Sequence, residues 1–307
     1  MCQLAGVSRA GYYRHFVEVV PDEAEMAIRA AVQEVVLAHH RRYGYRRVSV
    51  ELHRQGMPIN HKRVLRMMRE DNLLAIRYRK YILTTDSQHE HPIYVNLAAR
   101  LILTGVNQLW VADITYIRLR GEFVFLAVVI DRYPRKAVGW ALDRSLSGRV
   151  ALTALRLAIA RRQPPPGTVH HSDQGVQYAC TDYVTELKAN GMVPSMSRPA
   201  NPYDNAFCES FMRTLKEEEI HCHQYRDFQE LSEHIEEFID HYYNRLRLHS
   251  ALGYRTPEEF ERDAAREAAS SQTPDAATMK YFTPKVPEKS LNRPPDPIPP
   301  TSPTSET

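Results

Sequence analysis

The sequence predicts an α/β protein in which a mixed β-sheet, with helices on its faces, follows an all-helical N-terminal region. Two observations predict this fold class. Amphipathic helical patterns fill the first third of the chain, whereas after residue 105 three β-rich runs are followed by alternating helix and strand patterns. At 307 residues the chain is long enough for two or three small domains.

The helical region contains a strongly basic segment. Its first helix, in PDEAEMAIRAAVQEVVLAHHR, is followed by two helices that a GMPI turn separates, with Asn60 as the N-cap of the second. This is the layout of a helix-turn-helix, whose second helix contacts DNA in the major groove. From His39 to Lys80 there are twelve Lys or Arg residues and three acids, which favours an anionic partner. An ordinary basic helical hairpin fits the same spacing equally well.

The β-rich region predicts three antiparallel strands joined by short turns: Trp110–Arg118, Glu122–Ile130 and Lys136–Leu142. A helix over Arg149–Arg162 ends at QPPPG. Short strands in TVHHSD and MVPSMS then flank a helix that we expect Thr181 to cap and Gly191 to close. A later helix carries Asp227 and Glu230 at capping-box spacing.

Three carboxylates occur where such a sheet could bring them together. Asp113 is in the first strand, on the face of Val111 and Thr115, and a charge in a central strand is costly unless it is paired or metal-bound. Asp173 follows a short strand, and Glu209 is on a later helix. Such oxygen ligands suit Mg²⁺ or Mn²⁺, two of which support phosphodiester displacement without a protein nucleophile. Singly, each acid also fits an ordinary role: a strand charge, a turn former or a helix-surface residue.

The spacing of the three acids adds a second argument. Fifty-nine residues separate the first two and thirty-five the last two, which is the D,D(35)E spacing of retroviral integrases and their relatives. The surrounding sequence resembles bacterial transposases of the insertion sequence 3 family, specifically the OrfB-type product. The resembling segments lie between residues 6 and 260: GVSRAGYYR, RRYGYRRV, WVADITYI, AVVIDRYPRKAVGW, HSDQGVQY, SRPANPYDNAFCESFMRTLKEE and YYNRLRLHSALGYRTPEEF.

The resemblance implies an RNase H-like catalytic core behind a DNA-binding helical domain. It also implies Mg²⁺-dependent cleavage at the ends of a mobile element, after which the freed 3′ hydroxyls attack another phosphodiester. Asp113, Asp173 and Glu209 then take the metal-ligand roles. The implied partners are double-stranded DNA, both terminal repeats and target, further copies of the chain on that DNA, and an upstream OrfA-type product fused by translational frameshifting.

Further residues are candidates for contacts with DNA. Lys216 lies two helical turns after Glu209 and therefore on the same face, where its ammonium could hold a phosphate; a solvated lysine is the alternative. Arg213 could pair with Glu209 or with DNA, and His171 could bind a phosphate, order Asp173 or be a structural loop residue. The helical region contributes five more candidates: Arg46, Arg47, Lys62, Arg63 and Arg66.

Other polar residues favour structural roles. Asp131 follows a strand and precedes a Pro-containing turn, which predicts a turn role. Asp204 is expected to cap the helix that carries Glu209. Tyr116, Tyr178 and Tyr203 are nucleophiles only for a covalent mechanism and are expected to pack.

The predicted domains are a helix-turn-helix region over residues 1–90, a linker over 91–104, the catalytic core with its C-terminal helices over 105–263, and a linker with a disordered proline-rich tail over 264–307. Eight of the twenty prolines occur from Tyr281 onward. The longest apolar run is too short for a membrane span, and no secretory leader is evident, so we expect a cytoplasmic protein, associated with the bacterial nucleoid when bound to DNA. Four dispersed cysteines support neither disulfides nor a zinc module, and the HCH sequence ending at His223 lacks a second ligand pair.

Two alternative functions remain open at the level of sequence. One is a regulator that binds the ends of the element without cutting them, because the presence of ligands does not establish turnover. The other is a metal-dependent nuclease that cleaves RNA in a hybrid duplex. We expect no membrane partner.

Overall fold

The computed structural model of the chain describes residues 23–75, 94–198 and 205–271. Several sequence-based expectations lie outside these ranges: the family segment GVSRAGYYR, the packing of Tyr203, the capping role of Asp204 and the proline-rich tail. None of the described helices has both the length and the apolar character of a membrane span.

Three helices open the described chain: α1 (Glu23–Ala38), α2 (Tyr45–Arg54) and α3 (His61–Glu70). The α1 helix buries Val32, Val35 and Val36, whose spacing places them on one face. The side chain of Asn60 accepts a hydrogen bond from the backbone N–H of Lys62 at 2.9 Å, which confirms Asn60 as the N-cap of α3. The predicted layout of two helices joined by a tight turn is therefore present.

In the described residues, five strands form one mixed sheet: β1 (Leu109–Arg118), β2 (Phe123–Asp131), β3 (Lys136–Asp143), β4 (Val169–Ser172) and β5 (Val193–Met196). Their order is β3-β2-β1-β4-β5. The first three strands are antiparallel, whereas β4 is parallel to both β1 and β5. The predicted meander and mixed sheet are confirmed, with strand ends that differ from the predicted ones by one residue.

Helices cover both faces of this sheet. One face packs against α4 (Gly148–Arg162), α5 (Val176–Ala179) and α6 (Thr181–Ala189), and the other against α7 (Ala206–Leu215) and α8 (Phe228–Glu236). Trp110 and Ala112 of β1 belong to the first core, and Val111 belongs to the second. Since side chains alternate along a strand, Asp113 lies on the face of Val111, as predicted, and this is the face that packs against α7.

Two helices change their winding at the C-terminal end. The α7 helix continues as a π-helical segment over Lys216–Ile220, and α8 continues as a longer one over Glu237–Leu246. The chain then forms α9 (Pro257–Ser271). A π-helical turn carries an extra residue, so side chains beyond it are rotated relative to those of a regular α-helix.

The helix ends correct two of the predicted caps. The α6 helix begins at Thr181 itself, and Cys180 is its N-cap without a side-chain hydrogen bond, so the predicted cap is wrong by one residue. Gly191 closes α6 as predicted, with φ of +67°. Asp227 caps α8 by accepting from the N–H of Glu230 at 2.9 Å. The carboxylate of Glu230, however, accepts from the N–H of Arg226, one residue before the position expected in a capping box.

The helical region and the sheet share a core. Val36 of α1 and Leu52 of α2 are in the same buried cluster as Val111 of β1. The hydroxyl of Tyr43 donates to the carbonyl of Leu246 and accepts from the N–H of Leu248, at 2.9 and 3.0 Å. These contacts bring the basic helical region next to the end of the longer π-helical segment.

Candidate active site

The strand register brings Asp113 and Asp173 together. In the parallel pair β1–β4, Val111 pairs with His171, and this is the last pair of the ladder. Asp113 and Asp173 each lie two residues beyond it, at the point where the two strands separate. Both side chains are partly exposed there.

The Asp173 side chain is held by the loop that follows β4. Its Oδ1 accepts a hydrogen bond from the N–H of Gly175 at 3.0 Å. A Cβ at position 175 would lie 3.0 Å from that oxygen and 2.9 Å from Oε1 of Gln177, so the close approach favours glycine. The side chain of Gln174 donates to the carbonyl of Ser197, which fastens the loop to the residue after β5.

Glu209 reaches the same place from α7. The helix buries Cys208, Met212 and Leu215 on the sheet side, and Glu209 lies at its exposed edge. The charges of Asp173 and Glu209 both act on Asp113. The three acids that the sequence pattern selected therefore lie near enough for their charges to act on one another, although they come from three different elements.

The electrostatics of this group favour the binding of a cation. Asp113 is half-buried, and burial, followed by the charges of Asp173 and Glu209, raises the pKa of Asp113 to about 8. The N–H of Ile114 donates to the Asp113 carboxylate at 3.0 Å, which opposes that shift. Three neighbouring carboxylates repel one another in the absence of a cation, and their oxygen atoms are the ligands that hard divalent ions prefer.

Lys216 lies beside the acids, at the start of the first π-helical segment. Its ammonium is 5.2 Å from the centre of the Tyr116 ring. Burial lowers the pKa of Lys216, and the charge of Asp113 opposes that shift. The ring of Tyr116 therefore packs against the Lys216 ammonium, in agreement with the packing role expected for this tyrosine. Arg213, one turn earlier on α7, is exposed.

Tyr178 and Cys208 form the buried surroundings of the acids. Burial, together with the charges of Asp113 and Asp173, raises the pKa of the Tyr178 hydroxyl and of the Cys208 thiol. Both groups are therefore protonated near neutral pH. Tyr178 packs edge-to-face against Tyr183 at 5.3 Å, which confirms the packing role predicted for it. Sequence reasoning missed Cys208, although its position directly before Glu209 on the apolar side of the helix was a usable signal.

His171 is a structural residue inside the sheet. It is fully buried in β4, and its Nδ1 lies 2.9 Å from the hydroxyl of Ser195 on β5. The same hydroxyl accepts a hydrogen bond from the N–H of Leu97. The prediction that His171 contacts DNA directly is therefore wrong, because no part of its side chain reaches the surface.

Asp131 has the predicted structural role. It is fully buried at the end of β2, where its carboxylate accepts from the backbone N–H groups of Asn107 and Tyr133, at 2.7 and 3.2 Å. Arg162 approaches the same carboxylate at 3.4 Å. Burial raises the pKa of Asp131 to about 6, and these hydrogen bonds act in the opposite direction. The turn after β2 is thus built around Asp131.

The basic residues of the helical region lie in two places. Lys62 and Arg66 are exposed on α3, and Arg63 is partly exposed beside them. Glu25 lies 3.5 Å from Arg63 and 3.7 Å from Arg66, so part of this charge is compensated.

Arg46 and Arg47 occupy two different environments on α2. Arg46 is exposed and lies over the ring of Tyr45. Arg47, in contrast, points toward the core region and pairs with Glu218 at 3.4 Å.

A second polar cluster surrounds Glu219, which is buried. Its carboxylate accepts from Tyr225 at 3.1 Å, pairs with Arg42, and lies 3.1 and 3.0 Å from Nδ1 of His223 and His234. The two imidazoles and the carboxylate are close enough to share a metal ion. Since Arg42 and Tyr225 already satisfy the carboxylate, hydrogen bonding accounts for the cluster, and we assign it the structural role of joining the helical region to the core.

Family models match both the helical region and the sheet region of the chain. The model of the integrase core domain matches residues 104–202 and, in a second form, residues 190–257, and the model of the HTH-like domain matches residues 23–81. The match of the HTH-like domain model supports the prediction of a helix-turn-helix over that of an ordinary basic helical hairpin. Among solved structures, the catalytic core domain of BIV integrase is 17% identical, with a TM-score of 0.41, over 53% of this chain and 99% of that one.

Two relatives extend over most of the chain. The uncharacterized 31 kDa protein of insertion element IS600 from Shigella sonnei is 36% identical over 88% of this chain and 100% of its own length. Transposase InsF for insertion sequence IS3A from Escherichia coli (strain K12) is 35% identical over 85% of this chain and 92% of its own length. The chain therefore belongs to the insertion sequence 3 family of transposases, polynucleotidyl transferases that combine an HTH-like domain with an RNase H-like integrase core.

Proposed function

We propose that Asp113, Asp173 and Glu209 are the catalytic acids with which this transposase cleaves DNA at the ends of a mobile element and joins them to a target. The observation that carries the proposal is the strand register, because it puts Asp113 and Asp173 side by side where β1 and β4 separate. Glu209 of α7 acts electrostatically on the same group. The three carboxylates would together form a site at this opening that a DNA strand can approach.

The acids would hold two Mg²⁺ or Mn²⁺ ions. The fit rests on the donor set, which consists of carboxylate oxygens, and on the raised pKa of Asp113, which reflects burial first and then the negative charges of Asp173 and Glu209 that a cation would compensate. When bound, such ions stabilise negative charge on the oxygens of a phosphodiester during displacement. We propose two ions, which would share the three carboxylates and take phosphate oxygens as further ligands.

The remaining residues near the acids position the substrate. The loop contacts of Gly175 and Gln174 fix the carboxylate of Asp173 in direction. The Lys216 ammonium, held over Tyr116, would bind a phosphate of the strand next to the acids, and Arg213 would contact the same strand from the exposed side of α7. No protein side chain needs to act as the nucleophile, since a water molecule or a DNA 3′ hydroxyl can attack directly.

The helical region would bind the terminal repeats. Lys62 and Arg66 are exposed on α3, the second helix of the helix-turn-helix, and Arg46 is exposed on the first. We propose that α3 enters the major groove and that these residues, with Arg63, contact phosphates or base edges. We also propose the division into residues 1–90, 91–104, 105–263 and 264–307, with DNA binding in the first range and catalysis in the third.

The functional assembly would contain further components. We propose that the chain acts as a homo-oligomer on DNA, since two ends must be brought to one target, and that an upstream OrfA-type product is fused to it by frameshifting. Its place of action would be the cytoplasm, in association with the nucleoid.

The decisive experiment compares Asp173→Asn with Asp182→Asn in a transposition assay. Cells carry a marked element with its own ends, the upstream reading frame and one variant of this chain. Asp182 is exposed on α6, away from the acids, so its substitution makes the same chemical change outside the site. We expect Asp173→Asn to lower the transposition frequency at least a hundredfold and Asp182→Asn to leave it unchanged. Transposition by Asp173→Asn at the level of the unaltered chain would contradict the assignment.

A second assay uses the purified full chain and duplex DNA that carries the ends. We expect strand cleavage with Mg²⁺ and none with a chelator. If the unaltered chain binds the ends but cuts neither alone nor with the upstream product, the role of a regulator replaces that of an enzyme. Preferential cleavage of an RNA–DNA hybrid would instead support the nuclease alternative.

A further inference from the structure

A cavity of about 170 Å³ lies on the flank of α7, outside the group of acids. Its wall combines parts of the chain that are far apart in sequence, and it is strongly polar. The polar residues of the wall include three arginines, two hydroxyl groups of α7 and one imidazole: Arg47, Arg135, Arg247, Ser210, Thr214 and His249. Each arginine comes from a different family-resembling segment, namely RRYGYRRV, AVVIDRYPRKAVGW and YYNRLRLHSALGYRTPEEF.

The cavity has an excess of positive charge. Arg247 makes two hydrogen bonds to the carboxylate of Glu218, at 2.8 and 2.7 Å, and Arg47 approaches the same carboxylate at 3.4 Å. Arg135 has no ion pair with an acid among the residues that the structure describes. One carboxylate therefore pairs with two of the three guanidinium groups, and the three arginines keep a net excess of two positive charges around a partly enclosed space.

The chain holds these guanidinium groups in place. Arg135 lies over the ring of Phe207 at 4.9 Å, Arg247 over Tyr243 at 5.7 Å, and Arg47 over Tyr43 at 5.6 Å. Stacking on an aromatic ring fixes the plane of a guanidinium and leaves its N–H groups at the edges free to donate. Keeping partly buried cations without counterions is costly, and an anionic ligand would remove that cost.

The imidazole of His249 completes the wall. Burial, and then the charges of Arg247, Arg47 and Arg135, lower the pKa of His249 to about 2, so the ring is neutral at physiological pH. Its Nε2 is buried and has no hydrogen-bond partner in the described part of the chain. A neutral imidazole can present a single N–H to an anion without adding to the repulsion among the arginines.

The position of the cavity relates it to the acids. Ser210 follows Glu209 directly, about 100° further around α7, and Thr214 is on the next turn. An α-helix with its side chains is about 10 Å wide, so the cavity and Glu209 lie within roughly that distance across the helix. A DNA strand that crosses α7 at Glu209 would therefore bring a second phosphate to the arginines.

We propose that this cavity binds a backbone phosphate of the DNA strand that is being cleaved, at a short distance from the scissile phosphodiester. This inference rests on the proposed function, because it assumes that DNA lies along α7. Arg135 is the principal ligand, because its guanidinium is not paired with an acid in the described ranges and can bind the phosphate without first breaking an ion pair. Arg47 and Arg247 supply further N–H groups, and Ser210 and Thr214 supply hydroxyl donors from α7.

The test measures binding of a labelled duplex by the purified full chain at several salt concentrations, without divalent ions. Each phosphate contact contributes about 0.9 to the slope of log K against log salt. We expect Arg135→Gln to weaken binding about tenfold at low salt and to reduce the slope by about one. The matched control is Arg156→Gln, which removes one positive charge from α4 on the opposite face of the sheet. An identical slope for the two variants would overturn the proposal.

A conservative variant and a free anion complete the design. Arg135→Lys keeps the charge without the planar fork, so we expect an intermediate loss, with melting temperature and circular dichroism reporting that all variants are folded. Inorganic phosphate is compared with chloride at equal ionic strength. If phosphate stabilises the unaltered chain but not Arg135→Gln, while DNA binding is the same for both, the cavity belongs to a free phosphate and the DNA contact is wrong. Because these readouts need no cleavage, they are independent of the outcome for Asp173→Asn.

Discussion

Asn244 hydrogen-bonds both backbone groups of Ala137: its Oδ1 accepts from the N–H at 3.0 Å, and its Nδ2 donates to the carbonyl at 2.9 Å. Asn244 lies in the longer π-helical segment, and Ala137 is on β3, the edge strand of the described sheet. The Asn244 amide thus makes the two hydrogen bonds that a neighbouring strand would otherwise make with Ala137. It ties the edge of the core to the helix whose end contributes Arg247 to the basic cavity.

We expect Asn244→Ala to lower the free energy of unfolding by about 2 to 4 kcal/mol, because it leaves a buried N–H and a buried carbonyl without partners. Urea unfolding of the purified chain measures the change. Asn190→Ala is the matched control: its amide donates to the carbonyl of Glu186 at a half-buried helix end, and we expect a loss of at most about 1 kcal/mol. Equal losses for the two variants would contradict the role assigned to Asn244.

Glu218 is the acid that compensates Arg47 and Arg247, and removing its charge has two opposite consequences. We expect Glu218→Gln to destabilise the fold by about 3 kcal/mol, since it leaves largely buried cations unpaired. The same change adds positive charge to the cavity, so DNA should bind more tightly at low salt. Thermal unfolding and duplex binding report the two effects. Glu217→Gln, one residue earlier, should produce neither, and a destabilised variant that also binds DNA less tightly would argue against the cavity as a DNA contact.

The sequence predicted the sheet because local patterns encode its strands, whereas it selected the three acids through their spacing and the family resemblance. Alternation along the ten residues of β1 was sufficient to assign the face of Asp113. The suggested phosphate contact of His171 was wrong, because β4 has four residues that are all buried, and no exposed face exists for a polar residue to occupy. The Asn60 cap was also readable, since its hydrogen bond reaches only two residues along the chain.

The basic cavity could not be predicted in the same way. Arg47 meets its acid partner 171 residues later in the chain, and nothing in the local sequence distinguishes it from Arg46, which is exposed. Gly139 is a second example. Whether a glycine is required at this position depends on the distance between β3 and α4, which the local sequence does not encode. Long-range packing decides which arginines are at the surface and which line a binding site.

At Gly139, we expect substitution by alanine to be strongly destabilising. A Cβ there would lie 2.3 Å from the carbonyl oxygen of Ala154 and 2.7 Å from the Cβ of Ala158, so strand and helix would have to separate. The loss should be about 1 to 3 kcal/mol. Gly121→Ala, where no atom lies within 4 Å of the added Cβ, should change the stability little. A Gly139→Ala protein that unfolds at the same urea concentration as the parent would show that this contact is not tight.

Without metal, the stability of the chain should depend on pH through Asp113. Its pKa rises from 3.8 to about 8 on folding, so the folded state keeps a proton that the unfolded state loses. Stability from this group is therefore present below about pH 4 and is lost as pH rises toward 8. We expect Asp113→Asn to exceed the parent in stability by about 1 to 2 kcal/mol at pH 8 with a chelator, and by less at pH 5. Mg²⁺ should stabilise the parent at pH 8 and not the variant. A difference that is the same at both pH values would contradict the raised pKa.

Lys216 provides the sharpest test of the positioning of DNA beside the acids. Its ammonium is held 5.2 Å from the Tyr116 ring, and its interaction with Asp113 shows that it lies close to the acids. If it holds a phosphate where negative charge develops, Lys216→Gln should lower the rate of Mg²⁺-dependent cleavage by about tenfold to a hundredfold. Binding of the uncut duplex should weaken much less, because this is one phosphate contact among several.

Two further variants separate this role from a general effect of charge. Lys216→Arg keeps a cation at the site and should recover part of the activity, while Lys188→Gln removes a positive charge from the exposed surface of α6 and should leave cleavage unchanged. A Lys216→Gln enzyme that cleaves at the parental rate would show that the ammonium only supports the fold. Loss of duplex affinity in proportion to the loss of rate would instead make Lys216 a binding residue with no particular role in the chemical step.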